Sequence, residues 1–429
     1  MTPNSQDPAA MPSVNLPQIP NRQFDLREFG ARDGGRVNNM AAFRDAISGC
    51  AQSGGGMVCV PAGLWLTGPI HLQSQVRLHL DEGAIVRFST DPTDYLPVVL
   101  TRWEGNECYN YSPLIYARNC QDIAVTGAGT FEGQGDSWWH WKQLQHAATQ
   151  LLYHAQKNNL AVERRVFGRE EDALRPQFFQ PLGCQRVLIE GVRFVDGPMW
   201  TLHPVYCQDV TVRNVHVVTD PDGPNTDGLN PDSCRQVLIE DCFFSTGDDC
   251  IAVISGLNED GWRVARPSED VLIRRCRMEN GHGGVAIGSG TSGDVRNVTV
   301  QDCMFKGTDR GIRLKSMRGR GGIVENVHFE NIRMRDIIHE AITIDMYYGY
   351  SSAPSASNMP PTFRSIGIRN VSCDGAATAI QLRGLPESPI QDLHLENINL
   401  RADHGVTVEC VDGLDLINVS IQTETGPPA

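Results

Sequence analysis

No apolar run in the 429-residue chain is long enough to span a bilayer, which sets aside a helical membrane protein. Positive charge is scarce: 37 Lys and Arg stand against 51 Asp and Glu, giving a net charge of −14. That balance argues against a general nucleic-acid binder and against adhesion to acidic membranes, and any anionic ligand must be met by local cations. Aromatic residues make up only 7%, whereas 42 glycines mark a turn-rich chain. The thirteen cysteines are odd in number and follow neither metal-site spacing nor the pattern of a small disulfide scaffold, so they read as core thiols. Missing from the N-terminus are the basic and apolar segments of a signal peptide; instead Pro3, Pro8, Pro12, Pro17 and Pro20 suggest a loose tail over residues 1–22. The cytoplasm is the favoured location on that reading, with a periplasmic or secreted one if a leader was trimmed.

A chain of this length exceeds the usual single core, so it is either several domains or one elongated fold that grows by stacking. Periodicity decides. A nine-residue pattern, first seen as RVLIEGVRF, recurs eight times, its second residue being Val187, Val210, Val237, Val271, Val298, Val327, Ile366 and Leu393. Short steps with strands and no long helices between them are the mark of a parallel β-helix, one coil on the next. Five residues after each mark comes an apolar position, Val192, Val215, Cys242, Cys276, Cys303, Ile332, Val371 and Ile398, which predicts an interior ladder with cysteine as a small hydrophobe. A second ladder, Cys120, Cys184, Cys207 and Cys234, stacks along a turn.

Ahead of the repeat, Asn38 or Asn39 is placed to cap a helix from Met40 to about Cys50, stopped by Gly54-Gly55-Gly56. Such a helix would cover the open end of the stack. The period breaks over residues 138–180, where a helical stretch and a charged one form an insertion carried on a single domain of residues 23–429.

Gly247-Asp248-Asp249-Cys250 sets two carboxylates side by side on a turn, an arrangement that disfavours joint ionisation and keeps one acid protonated beside an ionised base. Laid over it in register are Asn225-Thr226-Asp227, Gly281-His282-Gly283 and Gly311-Ile312-Arg313-Leu314-Lys315, each one coil further along. Neighbouring strands lie ~4.8 Å apart, so Asp227, Asp248, Asp249 and His282 fall on one wall. Alternation turns Arg313 and Lys315 outward there, above the small Ala252 and Ala286, with Asn230 and His203 in the same outward stack. Taken singly, each aspartate suits a solvated turn. Three acids, a histidine and two cations in register point instead to a site for an anionic substrate.

These four motifs resemble, in order, those of the polygalacturonases, family 28 of the glycoside hydrolases; Phe24 to Gly30 and Trp200-Thr201-Leu202-His203 extend the resemblance over nearly the whole chain. The resemblance implies a single-stranded right-handed parallel β-helix that hydrolyses α-1,4-galacturonosidic bonds of polygalacturonate or oligogalacturonides with inversion, using no cofactor and no metal. It makes Asp248 the general acid and Asp227 with Asp249 the holders of the attacking water, at the ~6.5–9.5 Å separation usual for inversion. His282 supports the acid's protonation, Arg313 and Lys315 bind a uronate carboxylate, and Asn225, His203 and Tyr347 are further contacts. A disulfide common in fungal members has no good counterpart near Cys250. The segment Trp103 to Tyr111 and the insertion are similar to bacterial exo-acting members, implying a cleft closed at one end. The rival readings are a rhamnogalacturonan hydrolase, a calcium-dependent β-helix lyase and a non-catalytic carbohydrate-binding β-helix.

Overall fold

Each nine-residue pattern is a strand, a left-handed kink and a second strand. The kink falls four residues after the mark, at Gly191, Asn214, Asp241, Arg275, Asp302, Asn331, Asn370 and Asn397, all with φ between 51° and 80°. Glycine, asparagine and aspartate enter this region at least cost, which is why seven of these eight positions use them. The kink residues also stack: Asn331 Nδ2 donates to Asp302 Oδ1 at 2.9 Å, Asn370 to Asn331 at 3.1 Å and Asn397 to Asn370 at 3.0 Å.

The computed structural model describes residues 13–348 and 359–423. The marked residues pair in unbroken parallel register from Val187 to Leu393. Leu414 adds a coil after Leu393, and Ile123 leads the stack back through Val76–Leu80 and Gly56–Val60 to Gln23–Asp25. A second parallel sheet stacks Ile251–Val253, Val285–Ile287, Ile312–Lys315, Glu340–Asp345, Thr378–Arg383 and His404–Glu409, and carries the outward wall. The expected apolar and cysteine ladders are buried inside. All thirteen cysteines are free thiols. Burying each Val, Ile or Leu stabilises the stack by about 1.5–3 kcal/mol, repeated coil after coil.

The helix Met40–Gln52 lays Phe43, Ala46, Ile47 and Cys50 on the first coil. Asn39 holds the N-cap position but spends its side chain on Leu66 O, and the side-chain bond to the helix start comes from Asn38, whose Oδ1 accepts from Met40 N at 3.0 Å. Residues 13–22 are not loose. Asn15 N donates to Asp209 Oδ1 and Gln18 N to Asp122 Oδ1, both at 2.9 Å, so this stretch lies along the turns of the stack. No described helix is long and apolar enough to cross a membrane.

The insertion folds as three short helices, Asp136–Trp139, Trp141–Leu144 and His146–Lys157, on one side of the second sheet. It joins an antiparallel hairpin, Val99–Trp103 with Asn106–Asn110, through the strand Val166–Phe167. Together they enclose a small core of Trp103, Cys108, Ala148, Leu152, Phe167, Leu174 and Met199. Two fully buried ion pairs pin this cap to the coils: Arg102 to Asp232 at 2.9 Å and Arg165 to Asp260 at 2.8 Å.

Candidate active site

Asp227, Asp248 and Asp249 lie on the turns that lead into the second sheet, and one carboxylate oxygen of each lies within 4.8 Å of the others. Thr226 builds the first turn, its hydroxyl donating to Gly223 O at 2.7 Å and accepting from Gly247 N at 3.1 Å. Gly247 must be glycine, because a Cβ would meet Gly223 O at 2.4 Å. The expected wall is observed: Leu229 bridges Ile251, Ala252 pairs with Ala286, and Ala286 pairs with Arg313.

Asp249 is 1% exposed. Arg313 Nη1 donates to its Oδ1 at 2.8 Å and Lys315 Nζ to its Oδ2 at 2.5 Å. Gly283 leaves room for this clamp, since a Cβ there would lie 2.8 Å from Asp249 Oδ1. The two cations, expected to face a substrate carboxylate, thus spend a bond each on Asp249; Lys315 also lines the cavity and sits 5.2 Å from the Tyr348 ring centroid.

Asp248 Oδ1 accepts from Asp249 N at 2.8 Å and lies 2.9 Å from His282 Nδ1. Its Oδ2 accepts no hydrogen bond among the described residues. Burial pushes the Asp248 carboxyl up, but the His282 bond and charge outweigh it and leave the group below its ordinary value. His282 is correspondingly raised, by the Asp248 bond against its own partial burial, with Asp249 and Asp309 adding to it. Asp227 goes the other way: burial, then the charges of Asp248 and Asp249, push it well above the carboxylate range. Its Oδ2 accepts from Asn230 Nδ2 at 2.9 Å, and its buried Oδ1 has no partner among the described residues. Asp248 is thus held below and Asp227 above the ordinary carboxylate value, although it is Asp248 that the resemblance makes the general acid.

Three oxygens at this spacing also suit a divalent cation. Asp249, however, already has both oxygens on Arg313 and Lys315, so a metal would compete with two fixed positive charges.

The carboxylates open into a cavity of ≈ 290 Å³ whose lining also includes Asn225, Asn230, Trp200, Lys315, Arg320 and Tyr348. The coils add Ala252, Ile254, Gly256, Leu257, Gly288, Ser289 and Gly290, and the cap contributes Glu104 and Gly105 from the hairpin tip and Lys142 and Tyr153 from the insertion helices. Asn225 is in place, its Oδ1 accepting from Lys142 Nζ at 2.5 Å and Arg175 Nη2 at 2.8 Å. Two expected contacts are corrected. His203 stacks outward beside Asn230 as alternation requires, but it is 0% exposed, enclosed between Gln180 and Asp232. Tyr347 turns away to donate to Glu409 at 2.9 Å, and its neighbour Tyr348 lines the cavity instead. Glu104, Lys142, Tyr153 and Arg320 carried no periodic signal: the break of the repeat over residues 138–180 pointed to Lys142 and Tyr153, the resemblance of Trp103 to Tyr111 to exo-acting members pointed to Glu104, and Arg320 lies in a basic run from Arg310 to Arg320.

The family model for glycosyl hydrolases family 28 matches residues 50–415. A probable polygalacturonase of Vitis vinifera is 29% identical over 87% of this chain and 73% of its own length. Among solved structures, a hyperthermoactive exopolygalacturonase from Thermotoga maritima is 37% identical, with a TM-score of 0.91 over 97% of this chain and 94% of that one. A family 28 exopolygalacturonase of Yersinia enterocolitica, 22% identical, shares the fold at a TM-score of 0.76 over 96% of this chain and 80% of its own.

Proposed function

We propose, from the premise that the chain belongs to glycosyl hydrolase family 28 and is a pectin-degrading glycoside hydrolase, that it removes units from the end of polygalacturonate with inversion at the anomeric carbon. The observation that carries the exo reading is the cap. Glu104, Gly105, Lys142 and Tyr153 line the same cavity as the three acids, which supports a cleft blocked by the cap on one side of the scissile bond. The exopolygalacturonase name of the Thermotoga relative supports the same reading. Early digests of polygalacturonate should contain only mono- or digalacturonate beside a slowly shortening polymer. A ladder of intermediate oligomers at early times would mean endo cleavage.

In the mechanism, Asp248 Oδ2 is the acid atom aimed at the glycosidic oxygen. Water bonded to Asp227 Oδ1 attacks the anomeric carbon, and Asp249, its orientation fixed by Arg313 and Lys315, accepts the water's proton. With its carboxyl pushed up by burial and by the charges of Asp248 and Asp249, Asp227 is suited to orient the water rather than to act as its base. The proton that Asp248 delivers is one it holds jointly with His282 across the 2.9 Å contact.

This sharing has a consequence for pH. Below the raised His282 pKa the Asp248–His282 pair carries one proton; as pH rises through it that proton is lost, and with it the acid. The alkaline limb of kcat/KM should accordingly lie above the ordinary histidine value of ~6.5. His282→Gln should move it to lower pH, because Asp248 must then retain the proton alone. Rate profiles on trigalacturonate check this, and an unmoved limb in the variant would separate His282 from the acid.

A further inference from the structure

Glu104 sits at the tip of the cap hairpin with its backbone fixed: φ is 43°, and Asn106 Nδ2 donates to its carbonyl at 3.0 Å. The adjacent Gly105 O accepts from Leu257 N at 3.2 Å, docking the tip on the coil wall. The side chain faces the cavity, with Oε2 accepting from Tyr153 Oη at 3.3 Å and Oε1 accepting nothing among the described residues. A carboxylate is a poor neighbour for a uronate carboxylate, so its business in this cavity is with hydroxyls. Lys142, on the same wall, is the group suited to meet the sugar's charge.

In an α-1,4-linked chain every internal sugar has its 4-oxygen tied up in a glycosidic bond, and only the non-reducing terminal sugar offers a 4-hydroxyl. We propose that Glu104 is a specificity-determining residue that accepts a hydrogen bond from that terminal 4-hydroxyl, so that the closed end of the cavity admits a chain end and refuses an internal sugar. An internal position presents an ether oxygen with no proton, leaving the carboxylate unpaired and crowded by the next residue. The inference rests on the exo reading and adds which end is read and by which atom.

The test compares trigalacturonate with an analogue whose non-reducing terminal sugar is 4-deoxy. Wild-type kcat/KM should favour the parent by roughly 10- to 100-fold, the value of one hydrogen bond to a charged group. Glu104→Ala should bring the two substrates within about threefold of each other by losing rate on the parent while barely changing it on the analogue; Glu104→Gln, which keeps an acceptor oxygen, should restore part of the preference. A wild type indifferent to the 4-hydroxyl, or an alanine variant that slows both substrates equally, would overturn the proposal. Wild-type digestion of reducing-end-labelled tetragalacturonate separates the two levels. A single labelled fragment, trimer or dimer, appearing first with no 4-hydroxyl preference would sink the role of Glu104 alone, and a mixture of labelled monomer, dimer and trimer from the start would sink the exo reading with it.

Discussion

Asp248→Asn should lower kcat on galacturonate oligomers by ~10²–10⁴-fold, the usual worth of a positioned general acid, without altering the melting temperature. The substitution is nearly isosteric. An asparagine Oδ1 still accepts from Asp249 N and from His282, so the turn keeps its internal bonds. What changes is the outward-facing Oδ2, which becomes an amide unable to give up a proton to the leaving oxygen. Turnover measured beside thermal unfolding separates chemistry from folding. Wild-type turnover in the variant would remove Asp248 from the acid role.

Asp232→Ala should destabilise the fold by about 3–5 kcal/mol, because it strands a buried guanidinium. Arg102 comes from the cap hairpin and Asp232 from the coil wall; both side chains are fully buried, and Asp232 also lies 3.3 Å from His203 Nε2. Burial pushes Asp232 up, but Arg102 and His203 outweigh it and hold the carboxyl below its ordinary value. Its folded pKa is thus depressed, so its contribution is present above ~3.9 and lost only as pH falls through the lower folded value. Denaturant unfolding followed by tryptophan fluorescence reports on this region, since Trp103, Trp138 and Trp141 belong to the cap and are buried. Arg102→Met with Asp232→Leu, which removes both charges together, should recover most of the loss. A shift below about 1 kcal/mol in Asp232→Ala would mean that packing rather than this pair holds the cap.

The coil register was legible because it rests on two local rules: an inward apolar residue at a fixed offset, and a residue able to take positive φ four places after each mark. The same register brought Asp227, Asp248, Asp249, His282, Arg313 and Lys315 together from four separate motifs. Alternation gives a side chain's direction but not what lies over it. His203 points outward as read, yet Gln180 bonds its Nδ1 and the Trp200 ring packs edge-on against it, so it is buried. Tyr347 failed where its strand ends and alternation with it, so Tyr348 took its place. The cations were placed on the right wall, but their nearest charge was Asp249, two coils back. The cap contacts Glu104, Lys142 and Tyr153 depend on tertiary packing of irregular chain, for which no period exists.

The carboxylate spacing bears most directly on the mechanism. One oxygen of each acid lies within 4.8 Å of the others, so a water and a carboxylate are both within reach of one anomeric carbon. Charge favours attack by water: burial and its acidic neighbours push Asp227 toward its neutral form, and Arg313 and Lys315 hold Asp249 in place, a setting that suits carboxylates orienting a water rather than bonding to the sugar. Proton NMR of the first product formed from trigalacturonate decides between them. A single displacement by water, with Asp248 as acid, predicts the β-anomer at the new reducing end before mutarotation; the α-anomer would contradict it.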